Sequence, residues 1–318
     1  VLWLTASLSL PVMMGLVIAA TLPSLKAVLE IDRDAYYAGD PVPVRISIWN
    51  DGRTPAEAPS GEVPSGFELF DSDGKKVAPA SAEKAPAAGD APTASAPSAA
   101  KSPAPTLAPG QFFGFAGDLT TLYPRLREVG TYRLQWSSGG LVSNALILRV
   151  VPRYDPDKDY TARVETDLGA FLIDFLRKDA PFAVKTFIEL AQTGFYDGVI
   201  FHYVEPDRVV VSGDPTGTAQ GGPGFTIPHE RPKVKMVAGT VILLATGRPP
   251  ANGSIFAILL APRPDYEGSA TGFGQVIEDL DVVRKISQVP AAPKEAPQPH
   301  RPVTNVRINR VVIKPKTS

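Results

Sequence analysis

Residues 201–224 read FHYVEPDRVV VSGDPTGTAQ GGPG and set a phenol, Tyr203, and a guanidinium, Arg208, just ahead of a glycine-rich loop. An arginine stays charged at any working pH and offers several N–H donors, so its chemistry is hydrogen bonding and charge stabilisation rather than proton transfer. Two arrangements of Arg208 are open. Extended over Tyr203, it is a donor or a cation–π partner. Turned outward, it is solvated or pairs with Asp207, Glu205 or Asp265. His202 reads as a hydrogen-bonded structural residue rather than a catalyst, and His229 and Glu230, after the glycine loop, are expected at the surface. Arg248 reads as a solvated loop charge or a ligand contact.

The rest of the composition narrows the chemistry. The chain has no cysteine, so disulfides, thiol catalysis and cysteine metal sites are excluded. Its three histidines, His202, His229 and His300, are scattered, whereas a metal site needs clustered ligands. No cofactor and no metal are expected. A net charge of −1 argues against a nucleic-acid partner. With 318 residues, 44% of them hydrophobic, the chain can build about two ordinary domains with proper cores.

The elements that must hold these residues follow from periodicity. TARVETDLGAFLIDFL, from Thr161, alternates and predicts two antiparallel strands meeting near Asp167–Gly169. In 180–194, Val184, Phe187, Ile188 and Ala191 share one helical face, Pro181 suits the first turn and Gly194 closes the helix. A turn then leads into a strand at 195–204. A second helix is expected at 279–288.

Upstream the pattern is all strand. AVLEIDRDAYYAGDPVPVRISIWNDG predicts two strands joined by a turn around Gly39–Asp40, with Pro43 near a strand start where proline is tolerated. FELFDSDGKKV, 67–77, predicts a hairpin around Asp73-Gly74, and strands resume at 111–116, 130–136 and 141–151. Short strands without helical period suggest a β-sandwich that resembles immunoglobulin-like modules, in a spacing or adhesion role. Its Ala/Pro/Ser-rich insertion, 78–108, cannot bury enough apolar surface to offset ordering and is expected to be disordered. Residues 1–25 are apolar up to Lys26 and read as a signal peptide or membrane anchor. The expected organisation is therefore 1–25, a β-sandwich over 27–152, a linker at 153–159 and a second domain over 160–316. The expected location is extracytoplasmic: periplasmic, secreted or membrane-anchored.

From Tyr160 on, the segments in order resemble a cyclophilin-type peptidyl-prolyl cis-trans isomerase. They are APFAVKTFIEL, GFYDGVIFH, SGDPTGTAQGGPGFTIPHE, GTVILLATG, Asn252-Gly253-Ser254 before IFAILL, FGQVIEDLDVVRKI and VRINRVVI. The resemblance implies an eight-stranded antiparallel β-barrel capped by two helices. It also implies action on, or binding of, proline-containing peptide or protein segments. In that family an arginine donates to the prolyl nitrogen as the bond twists, and an apolar pocket holds the ring.

Carried over residue by residue, the arginine position is Tyr203. The pocket phenylalanine and methionine positions are Arg208 and Val209, and a substrate-holding glutamine is Val211. An alanine-asparagine pair falls on Leu244-Ala245, a second glutamine on Ile255 and a second phenylalanine on Ala257. The tryptophan-leucine pair falls on Asp265-Tyr266, and a histidine on Ala270. Scaffold positions such as Phe201, Gly213, Asp214, Phe256 and Phe273 match. Tyr203 and Arg208 are thus the candidate catalytic pair, and Val209, Val211, Leu244, Ala245, Ile255, Ala257 and Tyr266 the candidate peptide-binding set. Replacing a charge-assisted donor by a phenol removes about 1–3 kcal/mol of transition-state stabilisation, roughly 5–150-fold in rate. Three readings stand: an exported isomerase with weak or lost catalysis, a non-catalytic pseudo-isomerase, or a structural interaction module whose old pocket is filled with core.

Overall fold

A computed structural model describes residues 25–59, 63–80, 105–244 and 251–316, and these are mostly strand. The apolar run 1–24, residues 81–104 of the Ala/Pro/Ser-rich stretch, Ala245 and Arg248 lie outside the described residues. Among the described residues, no helix is long and apolar enough to cross a membrane. Contacts divide the chain into two compact units. One holds residues up to 32, 43–123 and 133–146; the other holds 33–42, 124–132 and 147–318.

In the first unit, Leu25–Ile31, Pro43–Asn50 and Phe112–Asp118 form a three-stranded antiparallel sheet. Ala27, Leu29, Val44, Ile46 and Ile48 are buried, as two-residue alternation requires when one face is covered. The expected turn at Gly39–Asp40 forms, with Gly39 at φ +91° and Asp40 N–H donating to the Tyr37 carbonyl, but a short extra strand precedes it. Pro43–Asn50 pairs with Leu25–Ile31, and the intervening Ala35–Tyr37 runs parallel to Arg149–Val151. The bend at Asp32–Asp34 breaks the first run before the turn is reached. The hairpin at Phe67–Val77 forms as expected, with Gly74 at φ +75°. Asn50 makes its turn by donating to the Thr54 and Leu107 carbonyls and accepting from Gly52 N–H. The end of the Ala/Pro/Ser-rich stretch is structured rather than disordered. Thr106–Leu107 pairs with Ala56–Glu57, because Leu107 finds a buried site. The run 141–151, expected as one strand, is two, Leu141–Val142 and Leu146–Val151.

The second unit is organised by an eight-stranded antiparallel sheet. Its strands are β1 (Tyr160–Thr166), β2 (Gly169–Phe175), β3 (Tyr203–Glu205), β4 (Val209–Ser212), β5 (Thr240–Leu243), β6 (Phe256–Leu259), β7 (Thr271–Glu278) and β8 (Ile308–Pro315). The order across the sheet is β3-β4-β6-β5-β7-β2-β1-β8. Register shifts in β1, β2 and β5 bend the sheet, as bulges do. The edges meet around the start of β8 and in the segment before β3. Gly198 N–H donates to the Ile308 carbonyl at 2.7 Å, Ile308 N–H to Val199 at 2.8 Å and Phe201 N–H to Val306 at 2.9 Å. The sheet is therefore curled into a barrel.

Helices α1 (Pro181–Gln192) and α2 (Leu280–Ser287) pack against it. Ala183, Val184, Phe187, Ile188 and Ala191 of α1 are buried, the face that periodicity picked out. Phe187 lies 4.7 Å from the Tyr196 ring and 5.4 Å, edge-on, from Phe256. Ala180 gives α1 no side-chain cap. Instead Glu230, expected at the surface, is half-buried and accepts from the Phe182 and Ala183 N–H groups at 3.0 and 2.9 Å. A carboxylate there satisfies orphan donors and meets the positive end of the helix dipole.

Candidate functional site

The strands β3 to β6 are apolar on both faces, and the register sorts their residues into two sets. Val204, Val210, Val241, Leu243, Phe256 and Ile258 belong to the main core. Their neighbours Val209, Val211, Ile242, Ala257 and Leu259 belong to a second cluster, joined by Ile255, Met236, Tyr203, Leu244, Tyr266 and Ala270. Cross-strand pairing aligns Tyr203 with Val211, Val211 with Ala257 and Ala257 with Ile242. This row forms the floor of a cavity of about 500 Å³. Tyr203, Val209, Val211, Leu244, Ile255, Ala257 and Tyr266 all line it, so the fold brings most of the candidate set together. Ala245 lies outside the described residues.

Arg208 stands apart. Its guanidinium is 2.8 Å from Glu205 and its side chain is 58% exposed, and it is not among the cavity-lining residues. Of its two open arrangements the structure has the outward one: a carboxylate three residues earlier captures the charge before it can reach over Tyr203. Tyr203 is half-buried, its ring 5.0 Å from the His300 ring. Burial raises the pKa of its hydroxyl, with Glu205 adding and Arg208 opposing, so the phenol is a neutral donor at ordinary pH.

The glycine loop supplies one wall. Gly213 has φ +94°, and a Cβ there would sit 2.1 Å from the Ser254 carbonyl oxygen, so only glycine fits. Next to it, the fully buried Asp214 gathers the loop. It accepts from the N–H groups of Thr216, Thr218 and Gln220 at 2.7, 2.9 and 3.1 Å, and from the Thr216 hydroxyl at 2.7 Å. Burial pushes its pKa up, but these hydrogen bonds, led by Thr216, win and hold it at about 2. Gly217, Thr218 and Ala219 are thereby presented to the cavity. His202 also lines it. Burial holds the His202 pKa below the ordinary value, with Asp214 opposing and Arg301 adding.

The other wall was missed by sequence reasoning. Pro297, Gln298, Pro299 and Arg301 reach the cavity from the segment 290–302. That segment is a strap held by its own hydrogen bonds, from Ala292 N–H to the Arg301 carbonyl, His300 N–H to Ala292 and Val303 N–H to Pro290. It is latched at two further points. Val204 N–H donates to the His300 carbonyl at 2.8 Å, and Arg301 Nη1 to the Gly217 carbonyl at 2.6 Å. The proline spacing in PAAPKEAPQPHRP was the available signal, but prolines alone do not say where a loop will dock. Arg263 was missed too. It lines the cavity from the turn before Tyr266, its guanidinium 3.9 Å from that ring centroid and bonded twice to Asp265.

A barrel with this register, its two packed helices and an apolar cleft beside a glycine loop define the class. Residues 161–313 match the family model of cyclophilin type peptidyl-prolyl cis-trans isomerase/CLD. The chain is 37% identical over 149 residues to the peptidyl-prolyl cis-trans isomerase-like 1 of Neurospora crassa, covering 46% of this chain and 88% of that one. It is 42% identical over 127 residues to a peptidyl-prolyl cis-trans isomerase of Synechococcus elongatus, covering 39% and 87%. A solved cyclophilin type isomerase of Cryptosporidium parvum superposes with a TM-score of 0.46 at 26% identity, covering 50% of this chain and 99% of that one. The chain belongs to the cyclophilin-type peptidyl-prolyl cis-trans isomerase family through its C-terminal half.

Proposed function

We propose that the cavity receives X–Pro segments of proteins and accelerates their cis–trans exchange only weakly. The observation that carries this is the row Tyr203–Val211–Ala257–Ile242, which floors an open, largely apolar cavity. Its volume of about 500 Å³ falls in the usual range for ligand sites. Rotation about an X–Pro bond needs no nucleophile, acid or metal. The barrier, ~20 kcal/mol, comes from amide resonance. A site lowers it by holding the ring in apolar surroundings and donating to the nitrogen as its lone pair is freed. Val211, Ile242, Ile255 and Ala257 suit the first task. For the second, Tyr203 offers a neutral hydroxyl where the resemblance assigns an arginine, which supports weak turnover.

The second reading, a pseudo-isomerase that binds X–Pro segments without turnover, is favoured by Tyr203 and by Arg208 turned away. The third, a structural module with a filled pocket, has the open cavity against it. We propose further that the protein works outside the cytoplasm, on the strength of the apolar run before Lys26, and that the N-terminal strands are an immunoglobulin-like spacer. Cell fractionation tests the location. Titrating the full chain with proline peptides, with exchange rates read by NMR, tests the function. Binding with exchange faster than the uncatalysed rate is expected. Binding without acceleration would select the pseudo-isomerase, and no binding would remove both.

A further inference from the structure

We infer that Arg263 supplies the guanidinium that acts on the prolyl nitrogen, in place of the strand position now held by Tyr203. This rests on the cavity being an X–Pro site, as proposed above.

Three observations carry it. The first is place: Arg263 lines the same cavity as Tyr203, Val211 and Ala257, whereas Arg208 does not. The second is preorganisation. Arg263 Nε and Nη2 donate to the two Asp265 oxygens at 3.0 and 2.7 Å, and the guanidinium lies over the Tyr266 ring at 3.9 Å. Its backbone N–H is tied to the Met236 carbonyl at 2.8 Å, and its own carbonyl accepts from Tyr266 N–H at 2.9 Å. Pro264 begins the one-turn helix that fixes this geometry. A fork held in this way loses little freedom when it donates again.

The third observation is donor capacity. A guanidinium has five N–H donors, and the carboxylate takes the Nε/Nη2 edge. The Tyr266 side chain engages the guanidinium as well, and the fork has N–H groups beyond those that these partners take. Such a donor is charge-assisted and therefore stronger than the Tyr203 hydroxyl. Arg301, the other cavity-lining guanidinium, is committed differently. Its Nη1 latches the strap to Gly217, and its charge acts on His202. Asp265 is then a positioning residue. It orients Arg263 without lining the cavity.

The test compares exchange rate and peptide affinity in the full chain and its variants, with the same X–Pro peptide throughout. Arg263→Ala is expected to bring the exchange rate most of the way down to the uncatalysed rate, a loss of about fivefold or more, while the peptide dissociation constant moves by less than about threefold. Arg163→Ala, an exposed arginine on β1, controls for loss of charge. The double variant Tyr203→Arg with Arg263→Ala is expected to recover part of the rate, because a donor returns at the strand position. An Arg263→Ala chain as fast as the native one overturns the inference. So does a rate loss matched by an equal loss of affinity with no recovery in the double variant. A native chain that binds peptide without accelerating exchange overturns the inference but leaves binding intact. One that does not bind removes the X–Pro reading itself.

Discussion

Asp214 shows how one buried carboxylate can shape a wall. Three N–H groups and a hydroxyl converge on it, so the ionised form is strongly preferred in the folded state. Its pKa is depressed from 3.8 to about 2, so the folded chain binds fewer protons than the unfolded one between those values. The stability it provides is therefore present above pH 3.8 and is lost as the pH falls toward 2. Thermal unfolding followed across that window should show a fall that Asp214→Asn largely removes, together with a lower midpoint at pH 7. Glu230 is a second case. Its carboxylate replaces the missing side-chain cap of α1. Glu230→Ala should cost about 1 kcal/mol in urea unfolding, the usual size of a lost cap. Neither role was legible beforehand. Asp214 was readable as a retained scaffold position, but its partners lie in a loop whose path is set by the positive φ of Gly213 and Gly217. Glu230 reaches α1 across 48 and 47 residues of sequence.

Among the elements, α1 and the β1–β2 hairpin were fully legible, because each is a local pattern completed by local pairing. Phe187 and Val184 face the core as a 3.6-residue period demands. The hairpin closes at Gly169 with φ +127°. The strap 290–302 was not legible, since what defines it is docking. It covers the N–H of Val204 and meets the glycine loop through Arg301. Arg301→Ala should unlatch it. Amide hydrogen exchange at Val204 is then expected to speed up by about tenfold or more, with the α1 amides unchanged, because local opening need not unfold the core. Unchanged protection at Val204 would show that the strap's own hydrogen bonds suffice.

For the molecule as a whole, composition makes a prediction that no single site does. With Lys and Arg together at 32, Asp and Glu at 33 and a net charge of −1, long-range attraction to a polyanion is absent. The full chain should pass through a heparin column at low salt, and retention there would expose a basic patch that the totals hide. The sequence by itself determined the family, the eight-stranded barrel, both helices and most of the cavity floor. Helix α1 and the β1–β2 hairpin follow from helical period and alternation, which act over a few residues and survive without knowledge of partners; the family, the barrel and the floor residues follow from the resemblance carried by the ordered segments from Tyr160 on. Only the tertiary structure decided which arginines face the cavity. Arg208 is close to Tyr203 in sequence, yet Glu205 holds it outward. Arg263 is far from Tyr203 in sequence, yet lines the same cavity. A side chain's direction depends on which partner captures it first, and barrel closure chooses those partners from distant parts of the chain.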